Sequence, residues 1–242
     1  LRQILRFALA GSIALAMAGG AMAESRDFDL KGFTKVEVNT GINATVTLGD
    51  AFSIHAVSAN KDLLDKLEVT LDGDTLSASV DQNFLDFIFN GGVVGQLLGA
   101  NNLTLAITLP TLTGVSASSA ADVDVTGAKG DLDINASSGA DLAITGATLG
   151  AVRVDASSGS DVSLGGTCTS LTAQTSTGAD LKAADLQCAS AIVDASSGGD
   201  VSVFASASIK AEASTGADVT VGGNPAEQVV DSSSGGDITI TD

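Results

Sequence analysis

From Asp122 onward a short alternation of apolar and polar residues keeps returning at a fixed distance. Aligned on one aspartate, the copies are Asp122, Asp141, Asp161, Asp180, Asp200, Asp218 and Asp237, with spacings of 19, 20, 19, 20, 18 and 19. One position later every copy is apolar: Val123, Leu142, Val162, Leu181, Val201, Val219 and Ile238. Three positions later the residues are again apolar (Val125, Ile144, Leu164, Ala183, Val203, Val221, Ile240), and those between are small or polar. That period of two predicts a strand with one buried face. A second, weaker alternation precedes each copy, as in Leu132-Ile134-Ala136, Val152-Val154-Ala156, Leu171-Ala173 and Ile209-Ala211-Ala213. Each copy is thus expected to hold two short strands and their corners. Glycine stands two residues before the aspartate in every copy except the first, which has Ala120, and a pair of hydroxyl residues precedes it. Glycine supplies the backbone freedom that a sharp corner needs.

No single copy can bury its own apolar face, so the copies must stack, like residue over like at about 4.8 Å. The fold class expected is all-β, a right-handed parallel β-helix (β-solenoid) with rungs of about 19 residues. An immunoglobulin-like sandwich is the competing all-β reading, but it leaves the strict period unexplained. Residues 24–112 lack the repeat yet still alternate, in "TKVEVNT", "INATVTL", "FSIHAV", "KLEVTLDGDTLSASV" and "LTLAITLP", and "DGD" at 72–74 signals a hairpin turn. The expected organisation is therefore a less regular N-terminal β section, 24–112, followed by seven rungs, 113–242. One stretch fits neither pattern: "FLDFIFNGGVVGQLL", 84–98. It is read either as a cover for the open end of the solenoid or as an apolar interaction loop presenting Phe84, Phe87, Ile88, Phe89, Leu97 and Leu98.

The first 23 residues have a different character. Arg2 and Arg6 precede an apolar run from Phe7 to Ala18, and "AMA" at 21–23 fits a cleavage site, so 1–23 is expected to be a secretory signal peptide. Glu24 rather than Cys follows that site, so no lipid anchor is expected there. The whole chain carries a formal charge of −18, and without the leader 9 basic residues face 29 acidic ones, or −20. Such a surface argues against nucleic acid or an anionic membrane as partner. No transmembrane span is expected in the mature chain.

Catalytic chemistry is sparse. The single histidine, His55, lies in a predicted strand, which leaves no Ser-His-Asp set to propose. The repeats hold only Lys129, Arg153, Lys182 and Lys210 as bases, and there is no Trp or Tyr to line a lyase or hydrolase groove. The expectation is that the protein is not an enzyme. Seven stacked aspartates would repel by about 0.9 kcal/mol per adjacent pair in bulk water. Two arrangements would offset this. Each carboxylate could accept hydrogen bonds from its own corner, as in an Asx turn. Alternatively, Ca²⁺ could lie between rungs at Asp122, Asp141, Asp161, Asp180, Asp200, Asp218 and Asp237. No other cofactor is expected. Cys168 and Cys188 each lie ten residues before a corner glycine, Gly178 and Gly198, and should be neighbours on adjacent rungs. They are read as a disulfide or as a stacked pair of buried thiols.

The order of segments "GFTKVEVNTGINATVTLGDAFSIHAV", "LLDKLEVTLDGDTLSASV" and "ITLPTLTGVSASSAADVDV", with its Gly41-Ile42-Asn43 and the Ser-Gly-Asp rungs after it, resembles the GIN-domain family of autotransporter adhesin heads. The resemblance implies an extracytoplasmic right-handed β-helix of the bacterial envelope, here a head without a translocating barrel. Two function classes follow. One is a binding or adhesion module whose solenoid face contacts a glycan or a surface protein. The other is an envelope scaffold that self-associates through 84–98 or the C-terminal edge as a homo-oligomer. Export is expected in either case, to the periplasm, the outer surface or the medium.

Overall fold

The computed structural model describes residues 23–80 and 103–242. The expected leader, except for Ala23, and the 84–98 stretch with Phe84, Phe87, Ile88, Phe89, Leu97 and Leu98 lie outside the described residues. In chain order the N-terminal elements are β1 (Glu24–Asp27), β2 (Lys35–Asn39), β3 (Asn43–Leu48), β4 (Ser53–Ser58), helix α1 (Lys61–Lys66), β5 (Leu67–Asp72), β6 (Thr75–Val80) and β7 (Thr104–Leu109). Then come β8 (Gly114–Ser118), β9 (Asp122–Thr126), β10 (Lys129–Ala136), β11 (Asp141–Ala156), β12 (Asp161–Thr175), β13 (Asp180–Ala195) and β14 (Asp200–Ser214). The last three are β15 (Asp218–Gly222), β16 (Glu227–Ser233) and β17 (Asp237–Ile240). The chain forms a β-solenoid of about 7 turns with rungs about 19 residues apart.

Two parallel stacks build it. One runs β6, β2, β8, β10, the second halves of β11 to β14, then β16. The other runs β7, β3, β9, the first halves of β11 to β14, β15, then β17. All seven aspartates pair in register along the second stack. The alternation anticipated from sequence is the burial pattern found: Leu142, Ile144, Val152, Val154 and their equivalents in β9 to β15 are buried, and the residues between them face outward.

Two details differ from the two-strand, two-corner expectation. In β11 to β14 the strands before and after one bend are continuous, and the bend is an irregularity in the ladder rather than a break. Each rung therefore has one sharp corner. There the second hydroxyl residue and the glycine both have positive φ, 56° for Ser138 and 69° for Gly139, and Ala140 N–H donates to the Ser137 carbonyl at 3.3 Å. That is the signature of a type I′ turn, which needs positive φ at both central positions. Gly139 N–H in turn donates to the Ser158 carbonyl of the next rung at 3.1 Å, so the corners are bonded to one another along the stack.

The second difference lies in the N-terminal section, which joins the same stacks. β2 and β3 form a rung between β6–β7 and β8–β9. Asn43 pairs with Asp122, and Thr40 and Gly41 have φ of 66° and 63°. Gly41-Ile42-Asn43 is thus one more corner of the repeat, with Asn in the aspartate column. Beyond β6 and β7 the stacks end in antiparallel strands. β5 pairs with β6 through the foreseen turn at Gly73-Asp74, while β4 pairs with β7 and β1 with β4. Helix α1, unforeseen in the sequence, packs Leu63 and Leu64 into the core at this end. Its N-cap is Asn60, whose side chain accepts from Asp62 N–H at 3.0 Å. At the other end β16 is exposed along its whole length, with Val229 and Val230 62% and 49% exposed.

The column of small residues just before each corner has one exception. Ala136, Ala156, Ala195 and Ala213 surround Thr175, whose buried hydroxyl has no hydrogen-bond partner. Where neighbouring corners carry Ala179 and Ala217, the corner above Thr175 carries Gly199. A Cβ added at Gly199 would meet Thr175 Oγ1 at 2.9 Å and the Ala179 carbonyl at 3.1 Å. The larger residue in one rung is accommodated by the smaller one in the next.

Candidate functional site

The two stacks present two different outer faces. Strand alternation turns the aspartate column outward on the stack that begins at β7. The carboxylates lie in a line along the solenoid, and five of the seven are exposed. The Asx-turn expectation fails here. No column aspartate accepts a hydrogen bond from a corner N–H among the described residues, and most of those donors are already engaged by the turn's own carbonyl or by the neighbouring rungs. What offsets the repulsion is local: Lys182 Nζ donates to Asp161 at 2.8 Å. At the N-terminal end of the column, burial and then the charges of Asp124 and Asp141 raise the Asp122 carboxyl above its ordinary value. Among the described residues no group of three His, Cys, Asp or Glu side chains converges as a metal site would.

The other face, over β10 to β14 and β16, has a more balanced chemistry. Its register aligns Asp133, Arg153, Thr172, Ile192, Lys210 and Val229 in one outward column. A second column holds Asn135, Asp155, Gln174, Asp194, Glu212 and Asp231. Beside it the first hydroxyl residue of each corner makes a column of serines, including Ser157, Ser176 and Ser196. Arg153 sits at the junction. Its Nε and Nη2 donate to the two oxygens of Asp155 at 3.1 and 3.2 Å, and Nη2 also donates to Gln174 Oε1 at 3.1 Å. Two shallow cavities adjoin there. One, of about 310 Å³, lies over Leu132, Val152 and Arg153 and is edged by Asp131 and Thr172. The other, of about 300 Å³, is lined by Asp155, Gln174, Asp194 and the serines Ser157, Ser176 and Ser196. Sequence reading named Arg153 only as one of few bases; the signal that could have found this face was the polar residues alternating with Val152, Val154, Leu171 and Ala173.

Cys168 and Cys188 pair in register and form a disulfide, with Cα atoms 4.5 Å apart. It ties adjacent rungs in the middle of the stack, a structural role. His55 lies in β4 with Nδ1 2.6 Å from Asp27 Oδ1, a contact between two edge strands at the capped end. No helix among the described residues is long and apolar enough to cross a membrane.

Fold and faces define the class: a capped parallel β-solenoid, disulfide-tied, with polar outer faces on a core of small apolar side chains. The chain belongs to the family described as "Putative auto-transporter adhesin, head GIN domain", whose model matches residues 32–225. Among solved structures it is similar to a putative adhesin from Bacteroides fragilis, at 20% identity and TM-score 0.79, covering 92% of this chain and 98% of that one. It also resembles a protein from Parabacteroides distasonis described as a putative lipid binding protein, at 14% identity and TM-score 0.67, covering 91% and 97%. A putative adhesin from Parabacteroides merdae aligns at 13% identity and TM-score 0.62, covering 93% and 98%. At these identities the likeness is one of fold. None of the curated proteins matches the chain significantly.

Proposed function

We propose that this protein is an exported, non-enzymatic binding module of the adhesin type, which meets its partner through the sheet face centred on Arg153, Asp155 and Gln174. The observation that carries this reading is that face: polar groups held in register on a rigid stack, with two adjoining cavities joined by one anchored guanidinium. Family membership supports the adhesin type. An apolar run of leader character before Glu24 supports export. The test is protease shaving of intact cells with fractionation, combined with binding of the purified, labelled protein to intact cells. Digestion on intact cells together with saturable binding supports surface adhesion. Protection until the outer membrane is opened places the protein in the periplasm and replaces adhesion with an envelope-binding role.

A second reading, self-association, is favoured by the exposed terminal strand β16 with Val229 and Val230. Sedimentation velocity on wild type and Val229→Ser/Val230→Ser tests it. A monomer throughout the concentration range removes this reading.

A further inference from the structure

We infer that the face over β10 to β14 is a trough for a neutral, polyhydroxylated polymer, a glycan chain lying along the solenoid axis across Arg153, Asp155, Gln174 and Asp194. This inference rests on the binding-module reading and names its ligand class. Charge is the first argument. Asp155 is engaged by both donors of Arg153, so the centre of the trough is a neutralised pair. A polycation finds its best acceptor occupied, and a polyanion meets Asp194 and Asp155. On this face Arg153 pairs with Asp155 and Lys210 with Glu212, whereas on the opposite face Lys182 alone bridges to one of the seven column aspartates, Asp161, so a cationic partner would go there instead.

Hydrogen-bonding capacity is the second argument. A sugar hydroxyl both donates and accepts, and needs a wall that does both. Gln174, its oxygen engaged by Arg153, has amide N–H donors to offer; Asp194 accepts, and the serine hydroxyls do either. Arg153 is held by three hydrogen bonds, so little side-chain freedom remains to be lost on binding. Apolar contact for the C–H faces of a sugar comes from Ile192, half-exposed beside Asp194, and from the methyl group of Thr172 at the edge of the first cavity, whereas Leu132 and Val152 beneath it are turned into the core. In a chain without Trp or Tyr these contacts are modest, so each ligand unit binds weakly. Repetition compensates: equivalent backbone positions recur about every 4.8 Å along the axis, which suits a periodic polymer more than a compact molecule.

The experiment is affinity electrophoresis, which detects weak binding to polymers. The protein runs in native gels containing dextran, galactomannan, mixed-linkage β-glucan or xyloglucan, with alginate and chitosan as polyanionic and polycationic counterparts. The expected result is retardation by at least one neutral polymer. That retardation should fall tenfold or more in apparent affinity in Gln174→Ala and Arg153→Ala, and persist in Asp200→Asn on the opposite face. Both affected side chains are on the surface, and thermal melts verify that the variants fold. Retardation by chitosan or alginate alone, by no neutral polymer, or by neutral polymers equally in wild type and both variants overturns the inference. Binding to intact cells is measured in parallel. If it is lost in Arg153→Ala while no neutral polymer retards the protein, the binding-module reading stands and the glycan assignment fails. If cell binding is also absent, both fail.

Discussion

The Thr175–Gly199 contact offers a direct test of whether rung-to-rung packing sets the stability of this solenoid. Gly199→Ala alone places a methyl group 2.9 Å from Thr175 Oγ1 and 3.1 Å from the Ala179 carbonyl. Overpacking of this kind costs about 1–3 kcal/mol. Thr175→Ala alone removes a buried hydroxyl without a partner, a gain of about 1–3 kcal/mol, and opens a gap the size of a methyl, a loss of about 1 kcal/mol. It should be neutral to stabilising. The double variant removes the 2.9 Å contact with the hydroxyl and returns the Ala–Ala pair of the neighbouring rungs, while the added Cβ still meets the Ala179 carbonyl at 3.1 Å and the Cβ of residue 175 at 3.2 Å. It also removes a glycine whose φ lies outside the left-handed region, worth about 0.4–1 kcal/mol through the unfolded chain. The double variant should therefore recover most of the stability lost in Gly199→Ala, and the two effects should be non-additive by about 1–3 kcal/mol. Urea unfolding followed by circular dichroism, with a check that the m-value is constant across the four proteins, measures this. If Gly199→Ala is as stable as wild type, or if the double variant equals the sum of the singles, the packing argument is wrong.

Other consequences follow from the same geometry. The Cys168–Cys188 disulfide has a sequence separation of 20, and closing a loop of that length is worth about 3 kcal/mol; reduction, or Cys168→Ala/Cys188→Ala, should lower the urea midpoint accordingly. At Gly139, φ is 69° and an added Cβ would meet nothing within 4 Å, so Gly139→Ala should cost about 1–2 kcal/mol of purely conformational origin, with Ala120→Gly (φ 59°) giving a gain of opposite sign in thermal melts. Leu63→Ala in α1 should cost about 2–5 kcal/mol and raise amide exchange first in β4 and β5, whereas exchange unchanged in those strands would mean that the helix does not hold the cap. Asp122 has a carboxyl raised by burial and by Asp124 and Asp141, so its ionisation opposes folding. Its contribution rises as pH falls through the folded value and levels off below the unfolded one. Asp122→Asn should raise Tm at pH 7 and shrink the gain seen on acidification to pH 4; a lower Tm at pH 7 would contradict this.

Most of the repeat was legible because its signals are local. Val123, Leu142, Val162 and their partners mark the buried column directly, and a corner needing two positive φ values leaves a small hydroxyl residue in every copy and a glycine in every copy but the first, which has Ala120. Cysteine register follows from the same arithmetic. Three features left weaker traces. Helix α1 spans Lys61–Lys66, too short for a helical period to emerge from "KDLLDK". Whether the aspartates cap their corners depends on which acceptor each corner N–H reaches, and the backbone of the next rung reaches it first. The trough at Arg153 depends on residues 21 positions apart, Arg153 and Gln174, meeting on the outer face, where composition varies from rung to rung.

The N-terminal section was obscure for a topological reason. Successive repeats are neighbours in both chain and space, so their period is visible. β2–β3 is a neighbour of β6–β7 and β8–β9, and Thr34 meets Thr113 across 79 residues. Its corner, Thr40-Gly41-Ile42-Asn43, stands alone in the sequence with no adjacent copy to reveal it. The same interleaving has a mechanical consequence. β16 and β17 lie at one end of their stacks and can fray singly, as nearest-neighbour solenoids do. β2 and β3 are held on both sides and cannot leave without breaking two ladders each. Nor can they complete those ladders until the chain through Thr126 has formed, so this end is slow to assemble and resistant to opening. Unfolding should then start at the C-terminal rung and reach the trough around Arg153 before it reaches the cap.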